Sequence, residues 1–500
     1  MPPSKKLKIL FVTSEVVPFV KTGGLADVSA ALPQTLTELG HEVRIVVPKY
    51  GAVDERKFKI HEVVRLKDLP VKLGDKEVTF SLRSSFLIGL KARVQIYFLD
   101  NYEYFGSRQS LYVDPDTCTD YHDNDERFIL FARSVYELIH KLGWVPDIIH
   151  CNDWQCGLIP AYLKTVYKDD PLLANVKTVF TIHNLAYQGF FPKDIFYKTA
   201  LPEELNSEKG VEIYGRLNFM KSGILFSDAI TTVSERYAQE ITQDEELSAG
   251  LKHVLLKRKK DIYGIMNGID DKAWNPDTDT LIAKNYNVKL LEGKAENKRA
   301  LAEKFDLEYK PGVPIIAMIS RLVDAKGFDL IAEIIEDVLQ QDVQIVLLGT
   351  GEKKYHSLFE DIHFRYPGKF ACYLGFDDSL AHLIEAGADM FLMPSRYEPC
   401  GLNQMYSHYY GTVPIVRETG GLADTVSKYN EKEETGNGFV FKKYEAAELL
   451  KEITRAVKLF ENRKAWTRIM KNGMRSDYSW LSSSKKYVDI YRKVLNDRNS

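Results

Sequence analysis

Long apolar runs are missing from this sequence. No stretch reaches the roughly 18 unbroken apolar residues of a membrane span, and the apolar run in the opening MPPSKKLKILFVTSE is too short for a secretory signal. No membrane partner is therefore expected. Cysteine is scarce: Cys118, Cys151, Cys156, Cys372 and Cys400 are scattered and odd in number, which argues against a secreted disulfide framework and for a cytoplasmic protein. His150, Cys151 and Cys156 lack the second ligand pair of a zinc site, so no metal is expected. An excess of one charge is also missing. The net charge is -3 with signs interspersed, which gives nucleic acid no electrostatic case as a partner, and the run Lys257 to Lys260 reads as solvated surface. No GxxxxGK[ST] string occurs, and Gly349-Thr350-Gly351 lacks the third glycine of a dinucleotide fingerprint, which sets hydride transfer aside.

What is present is length. At 500 residues and 45% hydrophobic composition, the chain exceeds what one core holds, so two large domains are expected. Residues 7–15 form a strand, followed by a glycine-containing loop and a helix from Leu25 to Leu39; residues 41–47 form the next strand. The same grammar continues through strand 92–100, helix 124–142, and strands 147–151 and 178–183. These strands are apolar on both faces, as parallel strands covered by helices are. Residues 53–91 alternate more and read as a small antiparallel insertion. Near Asp261 the pattern restarts with IYGIMNG and runs through PIIAMISRL, QIVLLGTG, FACYLG, DMFLMPSR and VPIVRETGG, with helices between them. The fold class predicted is α/β with two doubly wound domains, 1–258 and 259–478, the last segment 479–500 packing back on the first. Ligands of such sheets sit outside the carboxyl ends of the strands, so function is sought in those loops.

The loop Lys21-Thr22-Gly23-Gly24-Leu25-Ala26-Asp27 pairs glycines with a helix N-terminus, a combination that favours an anion such as a diphosphate; the alternative is a tight strand-to-helix turn. In Ser320–Gly327, Arg321 and Lys326 lie five residues apart at a helix start. Helix N-termini prefer anions, so two cations there call for a partner of opposite charge. Glu398, in Arg396–Leu402 just before a helix start, can hydrogen-bond sugar hydroxyls; the alternative is an N-terminal charge that complements the helix dipole. Thr419–Asp424 repeats the string GGLAD. In the first half, Asp153 with Trp154, and His183 in Thr181–Gly189, end strands on one sheet edge.

In order along the chain, KTGGLADV, DWQCGLIPAYL, TIHNLAYQG, IMNGID, KAENKRAL, ISRLVDAKG, PSRYEPCGL and ETGGLADTV closely resemble the bacterial glycogen synthase and plant starch synthase family, from about residue 7 to about 495. The resemblance implies the GT-B architecture, two Rossmann-like domains around a cleft. It implies retaining transfer of glucose from ADP-glucose to the non-reducing end of an α-1,4-glucan, with neither metal nor other cofactor. It also implies roles. Asp153, His183, Glu398, Arg321 and Lys326 would carry the transfer. Lys21, Gly23, Gly24, Asn267, Cys400, Gly401, Gly420 and Gly421 would line the donor, with Asp27 and Tyr104 at the acceptor sugar. Asn403 stands where many relatives have Thr, which puts a phosphate contact there in doubt. Two rival readings are a GT-B glucosyltransferase acting on a small acceptor and a non-catalytic glucan-binding protein.

Overall fold

A computed structural model describes residues 5–88 and 93–497. The chain divides into two compact units. The first takes in the chain up to Val233, Ala238–Ile265 and the stretch from Trp480; the second is Ser234–Tyr237 with Met266–Ser479.

The first unit is built on a ten-stranded sheet. Seven parallel strands run in the spatial order Ile262–Gly264, Ala229–Thr232, Lys177–Ile182, Ile148–Asn152, Lys8–Val12, Glu42–Pro48 and Arg93–Asp100. Every residue of Ile148–Asn152 and Ala229–Thr232 is buried, as a sheet covered on both faces demands. Beyond Arg93–Asp100 the sheet turns antiparallel through Lys76–Ile88, His61–Glu62 and Leu69–Leu73. There Leu69–Leu73 alternates buried and exposed residues, the pattern of a strand with one wet face. The insertion expected at 53–91 is thus an extension of the main sheet's edge.

Two sequence expectations change here. Ile262–Gly264, read as the start of the second half, pairs with Ala229–Thr232 and closes the first sheet. Ala229–Thr232 itself was not anticipated, because its threonines look like loop. They are buried, and their hydroxyls are satisfied locally: Thr231 meets Thr181 at 2.6 Å and Thr232 donates to the Ile182 carbonyl at 2.8 Å.

The second unit holds six parallel strands in the order Phe370–Tyr373, Gln344–Leu348, Ile315–Ile319, Met390–Met393, Val413–Arg417 and Phe439–Phe441. Helix Phe328–Leu339 covers it with Phe328, Ile331, Ile335 and Val338, apolar residues at helical spacing. Truncating Ile335 to Ala there would cost about 2–5 kcal/mol.

Numbered in chain order, the parallel strands of the first unit run 3-2-1-4-5-6-7 and those of the second 3-2-1-4-5-6. Each sheet therefore reverses direction between its first and fourth strands, the switch point where α/β sheets open a ligand crevice.

Helix Trp480–Asn496 belongs to the first unit. It packs on helix Gly24–Glu38 and buries Tyr487, Ile490, Tyr491 and Val494. Tyr491 Oη meets His150 Nδ1 at 2.7 Å, and His150 Nε2 meets Thr181 Oγ1 at 2.6 Å. His150 is thereby structural. Among the described residues no helix is long and apolar enough to cross a membrane.

Candidate active site

In the first unit, the crevice loops follow Lys8–Val12 and Ile148–Asn152. Asp153 opens the second of these with φ 56° and ψ -177°, a conformation costing a non-glycine residue about 1–3 kcal/mol. Backbone bonds hold it there: its amide donates to the Thr181 carbonyl at 2.9 Å, and its Oδ1 accepts the His183 amide at 2.8 Å. Burial pushes the Asp153 carboxyl up to about 7 against the pull of the His183 and Asn184 amides, and the charge of Glu15 adds to the rise. Asp153 therefore changes protonation near neutral pH.

His183 is oriented by its neighbour Asn152. The Asn152 Nδ2 donates to the Val12 carbonyl at 3.0 Å, which turns its Oδ1 toward His183 Nε2, also at 3.0 Å. Because that oxygen only accepts, Nε2 carries the proton and Nδ1 the lone pair. Burial lowers the ring's pKa to about 3. His183 is a neutral imidazole, suited to hydrogen bonding at a ligand and not to supplying positive charge.

Lys21 pairs with Asp27 at 2.8 Å, both partly exposed. Beneath the loop lies a carboxylate that belongs to none of the motifs. Glu15, 4% exposed, accepts the Thr22 and Gly23 amides and the Thr22 hydroxyl. Burial raises its pKa, opposed by those hydrogen bonds. The Gly23 amide that the sequence offers to a diphosphate is therefore engaged by the protein's own anion. What Gly23 and Gly24 leave is room: a Cβ on either would meet nothing within 4 Å.

In the second unit the crevice loops follow Ile315–Ile319 and Met390–Met393, and they touch through their backbones. A Cβ on Gly327 would stand 2.2 Å from the Pro394 carbonyl oxygen, and the Arg396 amide donates to the Ala325 carbonyl at 3.0 Å. Across this contact Lys326 Nζ pairs with Glu398 Oε2 at 2.6 Å, and Ser395 Oγ donates to the same oxygen at 3.1 Å. Arg321 is exposed, and among the described residues its guanidinium has no partner. One paired cation and one unpaired cation thus share a single loop.

Burial pushes the Cys400 thiol up to about 12, although the Asn267 amide favours its thiolate, so the thiol is neutral. Asn267 is 6% exposed, and its Oδ1 is buried without a protein partner. An orphaned acceptor beside this loop marks a place that a ligand hydroxyl or a water completes. Gly401 sits at φ 71°, next to the Gln404 side chain. Asn403 Nδ2 donates to the Ile319 carbonyl at 2.8 Å, so its amide braces the end of the first strand.

Three predicted residues have geometry that differs from the roles expected. Tyr104 is 3% exposed, and its hydroxyl donates to Glu126 at 2.5 Å; its side chain is committed to packing, and the exposed aromatic of that turn is Tyr102. The Gly421 amide donates to the Glu398 carbonyl at 3.0 Å, and a Cβ on Gly420 or Gly421 would approach the Glu398 or Cys400 oxygen to 2.0 or 1.8 Å. Their role is to let two backbones meet. In KAENKRAL, Asn297 Oδ1 accepts the Ala283 amide at 2.8 Å and Lys298 pairs with Asp389 at 2.7 Å, so that string is scaffold. Glu15, Asn152 and Ser395 were missed as supporting residues. Only Glu15 left a signal, a lone carboxylate in the apolar stretch FVTSEVVPFV.

Sucrose-phosphate synthase from Thermosynechococcus elongatus matches this chain with a TM-score of 0.59 at 16% identity, over 98% of this chain and 100% of that one, a likeness of fold alone. Together with the matches below it defines the class: a glycosyltransferase of the GT-B fold, with Rossmann-like units. Residues 8–257 match the starch synthase catalytic domain family and residues 301–473 the glycosyl transferases group 1 family. The glycogen synthase of Desulforudis audaxviator (strain MP104C) is 45% identical over 502 residues, 98% of this chain and 97% of that one. The catalytic domain of starch synthase IV from Arabidopsis thaliana, solved with ADP and acarbose, gives a TM-score of 0.86 at 32% identity over 98% of this chain and 100% of that one. The chain belongs to the glycogen and starch synthase family.

Proposed function

We propose that the enzyme transfers glucose from ADP-glucose, with retention, to the non-reducing end of an α-1,4-glucan. The observation that carries the reading is the loop bearing Arg321 and Lys326 at the switch point of the second sheet, where a diphosphate finds two permanent cations. The ADP in the starch synthase IV structure supports that nucleotide, and the acarbose there supports a glucan-type acceptor. On this reading Arg321 and Lys326 stabilise charge on the departing diphosphate, and Glu398 with Cys400, Gly401 and Asn267 addresses the donor sugar. Lys21, Asp27, Asp153 and His183 serve the first unit's side of the reaction, where the open space at Gly23 and Gly24 admits a ligand. The acceptor 4-hydroxyl attacks from the face that the diphosphate leaves, and its proton goes to the departing phosphate oxygen.

No metal enters this scheme, since the protein's own cations meet the diphosphate; undiminished activity in EDTA is the expected result. A reducing, cytoplasmic compartment belongs to the same reading and is supported by the free thiols of Cys151, Cys156 and Cys400. The deciding assay offers labelled ADP-glucose and UDP-glucose at equal concentration with glycogen or with small sugars. Transfer from ADP-glucose onto glycogen is expected; transfer only onto a small sugar would end the polymer reading.

A further inference from the structure

Glu15 and Asp153 leave neighbouring strands at nearly the same level. Lys8–Val12 and Ile148–Asn152 are paired in parallel with Val12 opposite Cys151, so both carboxylates enter the crevice at the carboxyl ends of adjacent strands. The chain after Glu15 then doubles back. The Val16 and Val20 amides donate to each other's carbonyls at 3.1 and 3.0 Å, which returns Thr22 and Gly23 to Glu15. Its Oε2 accepts both of those amides, that of Gly23 at 3.3 Å, and the Thr22 hydroxyl lies 3.1 and 3.0 Å from the two carboxylate oxygens. The backbone of Glu15 is pinned as well, since its carbonyl accepts the Thr13 hydroxyl at 3.0 Å, and Ser29 of helix Gly24–Glu38 meets that hydroxyl at 2.8 Å. Gly23 is the N-cap of the same helix. A buried anion of the protein itself thus sits where a helix start elsewhere takes a ligand's phosphate.

The burial that makes this anchor firm also carries its charge inward. Asp153 meets Glu15 as a like charge, which favours keeping its proton. The other titratable groups around the pair are Asp27, which acts on Glu15, and Tyr50, Tyr112 and Cys156. Burial raises these last three well above their ordinary values, so they stay uncharged near neutral pH. Asp27 is partly exposed and paired with Lys21, which offsets its charge. Glu15 is therefore the buried charge to which Asp153 answers.

We infer that Glu15 is a positioning residue of the transfer reaction, one carboxylate with two tasks: it fixes the loop 21–24 from beneath, and it sets its negative charge against Asp153. The inference rests on the glucosyl-transfer reading. The first task shapes the loop before any substrate arrives and so acts on substrate binding. The second acts on the pH dependence of turnover, which a residue that only stabilised the fold would leave in place.

The test compares full-length wild type with Glu15→Ala and Glu15→Gln. Hydrogen exchange is followed at the Thr22 and Gly23 amides, and kcat for transfer from ADP-glucose to glycogen is measured against pH. Alanine removes the acceptor, so both amides should exchange at least about a hundredfold faster, and KM for ADP-glucose should rise about tenfold. Glutamine keeps an oxygen for the amides and removes the charge. Its exchange should stay within about tenfold of wild type, while the limb that wild type shows where Asp153 titrates, at about 7, moves lower by about half a pH unit. The direction is the same whichever form of Asp153 is active, because removing a like charge eases its ionisation. Unchanged exchange in Glu15→Ala, or a limb absent or unmoved in Glu15→Gln, would overturn the proposal and leave the transfer reading standing. Wild type that transfers no glucose would remove that reading instead, and the exchange rates would still decide whether Glu15 holds the loop.

Discussion

The string GGLAD occurs twice in this protein and does opposite things. In the first unit it follows the first strand of the sheet and opens the helix Gly24–Glu38, with empty space where Cβ atoms at Gly23 and Gly24 would stand. In the second unit it follows the fifth strand and opens only the six-residue helix Gly420–Thr425. There the glycines are pressed against the carbonyls of Glu398 and Cys400. One pair of glycines makes room for something else; the other lets the protein meet itself. The charges differ in the same sense. The first loop sits on its own carboxylate, Glu15, and its lysine is paired with Asp27, whereas the second unit's crevice loop keeps Arg321 unpaired among the described residues. The lesson is that a repeated string fixes backbone permission and not a role, because the role depends on which strand end the string follows.

Substitutions break or sharpen this contrast. The largest effect is expected in the second unit's cation loop: Lys326→Ala or Glu398→Ala should fold normally and lose at least about a hundredfold in kcat/KM. Wild-type rates in both would refute the assignment of diphosphate charge to this loop. Next come the glycines. Gly421→Ala should destabilise by about 1–3 kcal/mol, since backbone must move to admit the methyl group, while Gly24→Ala should leave thermal stability unchanged and weaken substrate binding. Melting curves and KM values for both variants decide this; equal stability losses would erase the contrast.

A pH experiment addresses the first unit. The Asp153 carboxyl is raised by burial from 3.8 to about 7. Between those values the unfolded chain releases a proton that the folded chain keeps, so this group makes stability fall as pH rises through the window. Asp153→Asn lacks that proton. Its Tm relative to wild type should therefore climb between about pH 4.5 and about pH 7.5, and a constant difference would contradict the raised value. The smallest effect is expected for Tyr491→Phe, which removes one hydrogen bond to His150 and should cost about 1 kcal/mol with activity unchanged.

Much of this was legible in the sequence, for identifiable reasons. Helix Asn124–Leu142 and the buried strands are visible because apolar periodicity and burial are the same fact seen twice. The strand ends carrying Asp153, His183 and Arg321 are visible because charged or ring side chains interrupt apolar runs there. Ala229–Thr232 was not visible, because a threonine satisfied by its neighbour looks the same as one facing water. The proton on His183 was not visible either. It depends on Asn152 reaching the Val12 carbonyl, 140 residues away, and long-range pairing of that kind leaves no local pattern. The surroundings of Tyr104 were not visible for the complementary reason: an aromatic in a polar turn gives no sign of whether its hydroxyl meets water or, as here, Glu126.

The chain leaves its first unit at residue 265 and re-enters it at Trp480. During synthesis, then, the face that carries His150 waits uncovered while more than two hundred residues of the second unit are made. The first unit is complete only once helix Trp480–Asn496 is made, so a change in that helix is an intervention in the part of the protein that emerged earlier.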